Sequence, residues 1–382
     1  MLAPPWIAVP PPGYGGVEHV VALLAHELTR RGHLVTLLAA PGSQSAAQVC
    51  NLLPEPHSDR IGASVFEADH VARAFAAIDH AREDGLAFDV IHDHSGFTAL
   101  AMADRIYAPM VHTIHGPFIA ETSEFYSANG HRATTVAISE AQRKQAPPAV
   151  RGSAVIPNPI AVHDWPLRRS KDPYLLWIGR MAEVKGPHRA IDIARRSGRQ
   201  LLMAGPVQPA QEDFFQSEVA PRLDDHCVRY LGEVGGQART ELFARASALL
   251  MPIRWQEPFG MVMVEALACG TPVIAFPEGA ASEIVVQGQN GYLVSDEAEA
   301  TRALSELHRI DPARCRSSVA SRYAPASIAA SYERVYCKAA GIGRPRDAEP
   351  RQRFASANGS PGKRALDASA GPTRSRHPAA RR

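Results

Sequence analysis

Short apolar runs alternate with longer segments of helical period along most of the chain. Runs of strand length lie at 2–9, 34–39, 88–91, 110–114, 135–138 and 155–156, and again at 174–178, 201–204, 248–251 and 273–275. Between them apolar positions recur at helical spacing. Val17, Val20, Val21, Leu24 and Leu28 form one such stripe, and Gly32 ends that helix. Strands alternating with helices in this way build parallel sheets covered on both faces. The rhythm pauses at Pro157-Asn158-Pro159 and through the polar stretch 163–173, which places an interdomain link there. The pattern predicts an α/β chain with two parallel-sheet domains, 1–165 and 166–322. A further helix follows at 323–340, where Ile328, Tyr332, Val335 and Tyr336 keep helical spacing.

A chain of 382 residues, 45% hydrophobic, is long enough for two cores, which agrees with that division. The net charge of +2 conceals an uneven distribution: residues 341–382 carry ten Lys/Arg against three Asp/Glu, so the body before them is acidic. An acidic body lacks the clustered basic face that a nucleic acid requires. The segment 341–382 is rich in Arg, Pro, Ser, Ala and Gly with few large apolar residues, which predicts a disordered basic tail. Its charge leaves open a weak peripheral contact with an anionic membrane. The five cysteines are scattered, odd in number and without a Cys-x-x-Cys pair, as suits a reducing cytoplasm. Neither a membrane-spanning run nor a secretory signal is evident, so the expected location is cytoplasmic.

Three segments carry candidate chemistry. Gly13-Tyr14-Gly15-Gly16 lies between the first strand and the first helix, where glycines allow close backbone approach and a helix N-terminus offers N–H groups to an anion. A tight turn without a ligand is the alternative. Arg180 and Lys185 follow the strand 174–178, and cations beyond the carboxyl end of a parallel strand suit a diphosphate. Solvated surface cations are the plain reading. The segment 257–274 reads as a loop with Pro258 and Gly260, a helix over 261–269, a cap at Gly270 and a buried strand. Glu257 then stands before the helix and Glu265 one turn inside it, as two carboxylates for the hydroxyls of a polyol, or as ordinary helix-start glutamates. The N–H groups near Gly260 and Met261 suit phosphate. His92 and His94 share a strand face, with His112 and His115 on the next strand. That parity suits a metal or the polar lining of a cleft, and no third ligand has motif spacing. Asp93 or His94 is a candidate for the acceptor side.

The combination of Glu257 and Glu265, Arg180 and Lys185, the Gly15-Gly16 loop with Val17-Glu18, and His115-Gly116-Pro117-Phe118 resembles the retaining glycosyltransferases of family 4. So does the segment from Gly279 through Glu283 to Asn290-Gly291-Tyr292-Leu293-Val294, and the likeness extends over residues 2–340. It implies a GT-B architecture of two Rossmann-like domains facing across a cleft, with the last helix crossing back to the first. It further implies transfer of a sugar from a UDP- or GDP-type nucleotide diphosphate sugar to a sugar, lipid-linked or small-molecule acceptor, read by the first domain. By the same resemblance Arg180 and Lys185 hold the diphosphate, Glu265 the ribose and Glu257 the transferred sugar. Gly260 and Met261 add backbone contacts, Gly15 and Gly16 close the site, and His115 meets the donor sugar. The cation pair, with no Asp-x-Asp in the sequence, leads us to expect no metal and no other cofactor. Two features depart from the family: a start almost at the first strand, from which a clipped strand is expected, and Pro where Gly is frequent in 156–159. The rival readings are a GT-B epimerase or hydrolase acting on a nucleotide sugar, and a two-lobed binding protein without chemistry.

Overall fold

The computed structural model describes residues 1–342 other than Tyr14; the remainder of the expected basic tail lies outside the described residues. Twelve strands are present among them: β1 (Thr36–Ala39), β2 (Gln48–Asn51), β3 (Ile91–Asp93), β4 (Met110–Ile114), β5 (Thr134–Ala137), β6 (Ala154–Val155), β7 (Leu175–Ile178), β8 (Leu201–Ala204), β9 (Val228–Tyr230), β10 (Ala248–Met251), β11 (Val273–Ala275) and β12 (Gly291–Leu293). All of their pairings are parallel. In the second half the order is β12-β11-β10-β7-β8-β9. In the first half β1-β2 and β3-β4-β5-β6 are joined through Leu2, which bridges both Leu38 and Asp93.

That bridge corrects the expected strand over 2–9. Leu2 N donates to His92 O at 2.8 Å and Ala3 N to Leu38 O at 2.9 Å, but Pro4 and Pro5 follow at once and have no N–H to continue either ladder. Exposed Gln48 and Asn51 bound β2 and exposed Arg229 interrupts β9, so neither edge strand shows as an apolar run, and β12 enters the sequence reading only within the family motif 290–294. Each is only partly buried, whereas β7 and β10 are buried throughout.

Period-two alternation divides the second sheet into two cores. Leu176, Leu249 and Val273 face the helix Met261–Ala268, while Leu175, Trp177, Leu250 and Ile274 face the helix Pro187–Ser197. The last helix, Pro325–Ala339, returns to the first half. Its Ile328, Ala329 and Tyr332 pack with Leu24, Leu28, Val111, Val136 and Ile156. Glu333 of that helix receives both Arg31 Nε at 2.7 Å and Arg31 Nη2 at 2.6 Å, and lies 2.9 Å from His33 Nε2. The first helix, Gly16–Arg30, is thereby held to the last by an apolar face and an ionic clasp at its end.

Candidate active site

Where parallel strands end at their carboxyl edge, the turns that follow are free to carry function. His115 follows β4, Gly179 and Arg180 follow β7, and Gly205 follows β8. These turns, with the start of the first helix, enclose a cavity of about 330 Å³. The nine residues that the resemblance assigns to the donor all line it: Gly15, Gly16, His115, Arg180, Lys185, Glu257, Gly260, Met261 and Glu265. The two halves of the chain both contribute, since Gly15, Gly16 and His115 come from the first and the rest from the second.

Two glycines shape the loop that carries Glu257. Gly260 caps the helix Met261–Ala268 at φ +89, where a Cβ would meet Met263 Cε at 2.4 Å. Gly279, at φ +57, would place a Cβ 2.3 Å from both N and O of Glu257. Its close approach allows Ala280 N to donate to Glu257 O at 2.9 Å. The Glu257 carboxylate is then fixed by its neighbours. Trp255 Nε1 donates to Oε2 at 2.8 Å, and Lys185 Nζ forms an ion pair with the same oxygen. The Lys185 ammonium also lies over the Trp255 ring, 4.2 Å from its centroid. Burial pushes the Lys185 pKa down, and Glu257 acts in the opposite direction.

Glu265 is likewise paired. Arg239 Nη2, from the helix Gly236–Arg245, donates to Glu265 Oε2 at 2.5 Å, and the guanidinium rests 5.1 Å from the Phe243 ring centroid. Arg180 Nη1 makes a longer bond of 3.2 Å to Gln208 Oε1. Arg239, His19, Asn158 and Trp255 also line the cavity and were not found by sequence reasoning. His19 and Trp255 stand three and two residues from Gly16 and Glu257 without a motif of their own, Asn158 lies in the segment read as the interdomain link, and Arg239 is on a helix that only the tertiary fold brings to Glu265.

His115 heads a chain of buried side chains. Its Nε2 lies 2.9 Å from His94 Nδ1, and His94 Nε2 lies 3.2 Å from His92 Nδ1. The Tyr336 hydroxyl of the last helix is 2.7 Å from that same His92 nitrogen. His92 Nε2 meets Thr113 Oγ1 at 2.8 Å, which meets the Tyr332 hydroxyl at 2.9 Å. Burial lowers the pKa of His115 to about 3 and holds His92 and His94 well below their usual range, so all three are neutral near pH 7. The tautomers are linked along the chain: when His94 donates to His92, His115 Nε2 donates to His94 and His115 Nδ1 accepts, and in the reversed set His115 Nδ1 carries the proton. His92 and His94 therefore turn nitrogens toward each other, not toward a common centre. Among the described residues no group of three or more His, Cys, Asp or Glu side chains is arranged to hold a metal ion.

Asp93, a candidate for the acceptor side, is fully buried instead. Its Oδ2 takes His112 Nδ1 at 2.7 Å, and its Oδ1 takes Ser95 N at 2.8 Å and Ser95 Oγ at 2.6 Å.

The sequence profile described as Glycosyltransferase Family 4 matches residues 14–164, and that described as Glycosyl transferases group 1 matches residues 162–316. The chain belongs to glycosyltransferase family 4. Among curated relatives, a glycogen synthase of Mycobacterium tuberculosis is 28% identical over 232 residues, 53% of this chain and 55% of that protein. The chain thus matches about half the length of that relative. A D-inositol 3-phosphate glycosyltransferase of Corynebacterium diphtheriae is 26% identical over 389 residues, 85% of this chain and 90% of that protein. Among solved structures, Anabaena Alr3699/HepE in complex with UDP and glucose superposes with a TM-score of 0.69 at 20% identity, covering 88% of this chain and 99% of that one. The fold is GT-B, and the family is one of glycosyltransferases. No helix among the described residues is long and apolar enough to cross a membrane.

Proposed function

We propose that this glycosyltransferase moves a sugar, with retention of anomeric configuration and without a divalent metal, from a nucleoside diphosphate sugar to an acceptor hydroxyl. The observation that carries the reading is the convergence of all nine residues on one cavity, with the acidic side chains Glu257 and Glu265 each ion-paired to a cation. In this reading the diphosphate takes Lys185 and Arg180. As the glycosidic C–O bond breaks, the diphosphate gains about one negative charge, and a cation near 4 Å interacts with it by about 4 kcal/mol at an effective dielectric of about 20. Only the part of that attraction that grows toward the transition state accelerates the reaction. Lys185 then serves the phosphate in place of Glu257, whose carboxylate turns to hydroxyls of the transferred sugar. Glu265, oriented by Arg239, takes the ribose. The backbone at Gly260 and Met261 contacts sugar or phosphate, Gly15 and Gly16 close the site from the first half, and neutral His115 hydrogen-bonds a sugar hydroxyl through Nδ1. Uridine is the first base to test, since the structural neighbour is described with UDP and glucose.

The test is incubation with UDP- and GDP-sugars and an acceptor panel in EDTA, with the anomeric coupling of the product read by NMR. Transfer with the donor's configuration kept is expected. Activity lost in EDTA and restored by Mg²⁺ or Mn²⁺ removes the metal-independent mechanism, and an inverted product removes retention.

A further inference from the structure

A second cavity of about 300 Å³ adjoins the first on the side of the first sheet and shares Gly16, Val17, His115 and Gly116 with it. Its chemistry is different. Arg180, Lys185 and Arg239 line the first cavity, whereas no Lys or Arg is among the described residues that line the second. Trp6, Phe97 and Tyr126 contribute aromatic surface there, and Glu18 and Ser95 contribute polar atoms. Phe97 stands at the rim, 41% exposed, with its ring 5.0 Å from Phe125 and 6.0 Å from Tyr126.

The charged groups nearby are acidic or already committed. Glu67 Oε1 receives Thr98 N and Oγ1, both at 2.8 Å, and a Cβ at Gly96 would sit 3.1 Å from the same oxygen. Asp93 lies beneath the cavity on His112. Arg60, beside the lining residue Ile61, is turned to Asp59 at 3.2 Å. His94 and His112 are buried and committed to hydrogen bonds, as described above. Glu18 is 5% exposed in the first turn of the first helix, and a Cβ at Gly15 would lie 3.0 Å from its Oε2. A phosphate placed here would lose its water among carboxylates with no cation to replace it, the costly case of a buried unpaired ion. An uncharged ring alcohol meets aromatic faces and hydrogen-bonding groups instead.

We infer that this second cavity receives the acceptor, and that the acceptor is an uncharged hydroxylated ring compound, not a phosphorylated sugar or polyol, with Glu18 hydrogen-bonding an acceptor hydroxyl beside His115. The inference rests on the donor reading of the first cavity. Burial raises the Glu18 pKa to about 7, so near neutral pH its carboxyl both donates and accepts.

The experiment first measures binding of UDP and GDP by calorimetry, which tests the donor cavity alone. Initial rates with the active UDP- or GDP-sugar are then compared for an aryl glucoside and for the same aryl glucoside carrying a 6-phosphate, two acceptors that differ only in charge. The expected result is a preference for the neutral compound of about 100-fold or more in kcat/KM. Phe97→Arg, at the exposed rim, should narrow that preference about tenfold by offering the phosphate a cation. Glu18→Gln should lower kcat/KM for the neutral acceptor with UDP affinity unchanged. Equal or better use of the phosphorylated acceptor overturns the inference, as does intact nucleotide binding with neither acceptor used. Loss of nucleotide binding in the unaltered protein sinks the donor reading itself, a separate result.

Discussion

Burying the Lys185 ammonium costs solvation that the Glu257 carboxylate offsets, while the Trp255 N–H holds the carboxylate in position. The family resemblance assigns the two residues to separate parts of the donor, yet the fold makes each the other's counter-ion. Changing one therefore changes the charge state of the other. Burial already lowers the Lys185 pKa and Glu257 opposes that shift, so Glu257→Gln should lower it further. The protonated amine is the form that attracts a diphosphate, and affinity falls as pH rises through its pKa. In Glu257→Gln the alkaline loss of UDP affinity should begin at lower pH than in the unaltered protein, with affinity near pH 7 changed only a few-fold. Turnover should fall by roughly 10²–10³, the range for removing one group that stabilises developing charge. Calorimetry between about pH 7 and 10 beside initial rates measures both, and an unmoved alkaline limb shows that Glu257 does not set the state of Lys185. Glu265→Gln should behave differently, weakening UDP and the intact UDP-sugar by a similar factor, because the ribose is common to both.

At the scale of elements, the site depends on turns that only glycine can make. Gly279 brings its backbone against Glu257, and Ala at this position combines an unfavourable left-handed φ, costing about 1–2 kcal/mol, with a clash against backbone that cannot rotate away. Gly279→Ala should lower the melting temperature and reduce kcat more than UDP affinity, since the displaced loop carries Glu257 and not the diphosphate cations. A variant that melts lower with kcat intact would show that the loop relaxes without moving the carboxylate. The same elements show why some of the molecule was readable from sequence. Arg180, Lys185, Glu257 and Glu265 follow strands or open a helix, and such junctions are visible in a one-dimensional pattern of apolar runs. Arg239 sits inside an ordinary amphipathic helix and acquires its meaning only when that helix lies against Glu265. The edge strands β2 and β9 lack a continuous apolar run because the exposed positions Gln48, Asn51 and Arg229 break it. The shared face of His92 and His94 is visible as alternation, but Tyr336, bonded to His92, and Tyr332, bonded to Thr113, stand more than two hundred residues from those partners.

Across the whole molecule, the histidine chain ties the last helix to the cavity and makes the fold sensitive to acid. His92, His94 and His115 are joined by His70, whose Nε2 lies 3.0 Å from Ala3 O and whose pKa burial lowers to about 4. Unfolding returns each imidazole to a pKa near 6.5. Below that pH the unfolded chain binds protons that the folded chain does not, so stability falls as pH drops and is retained above about 6.5. Glu18 acts in the opposite sense. Its folded pKa of about 7 exceeds the unfolded carboxylate value, so the fold binds that proton over a range where the unfolded chain has lost it, and its contribution grows as pH falls toward 4.5. Burial lowers His19 and His188 as well, so six imidazoles against one carboxyl leave a net loss on acidification, bounded by about 1.4 kcal/mol per pH unit for each excess proton. Thermal melts between about pH 7.5 and 5 should show a stable plateau that gives way to a steep decline below about 6.5. His70→Gln keeps a side-chain donor for the Ala3 carbonyl, removes one titrating group distant in sequence from His115, and should make that decline shallower. A melting temperature that stays level from pH 7 to 5, or a His70→Gln variant with an unchanged slope, would mean that these imidazoles accept protons within the fold and are not held neutral by burial.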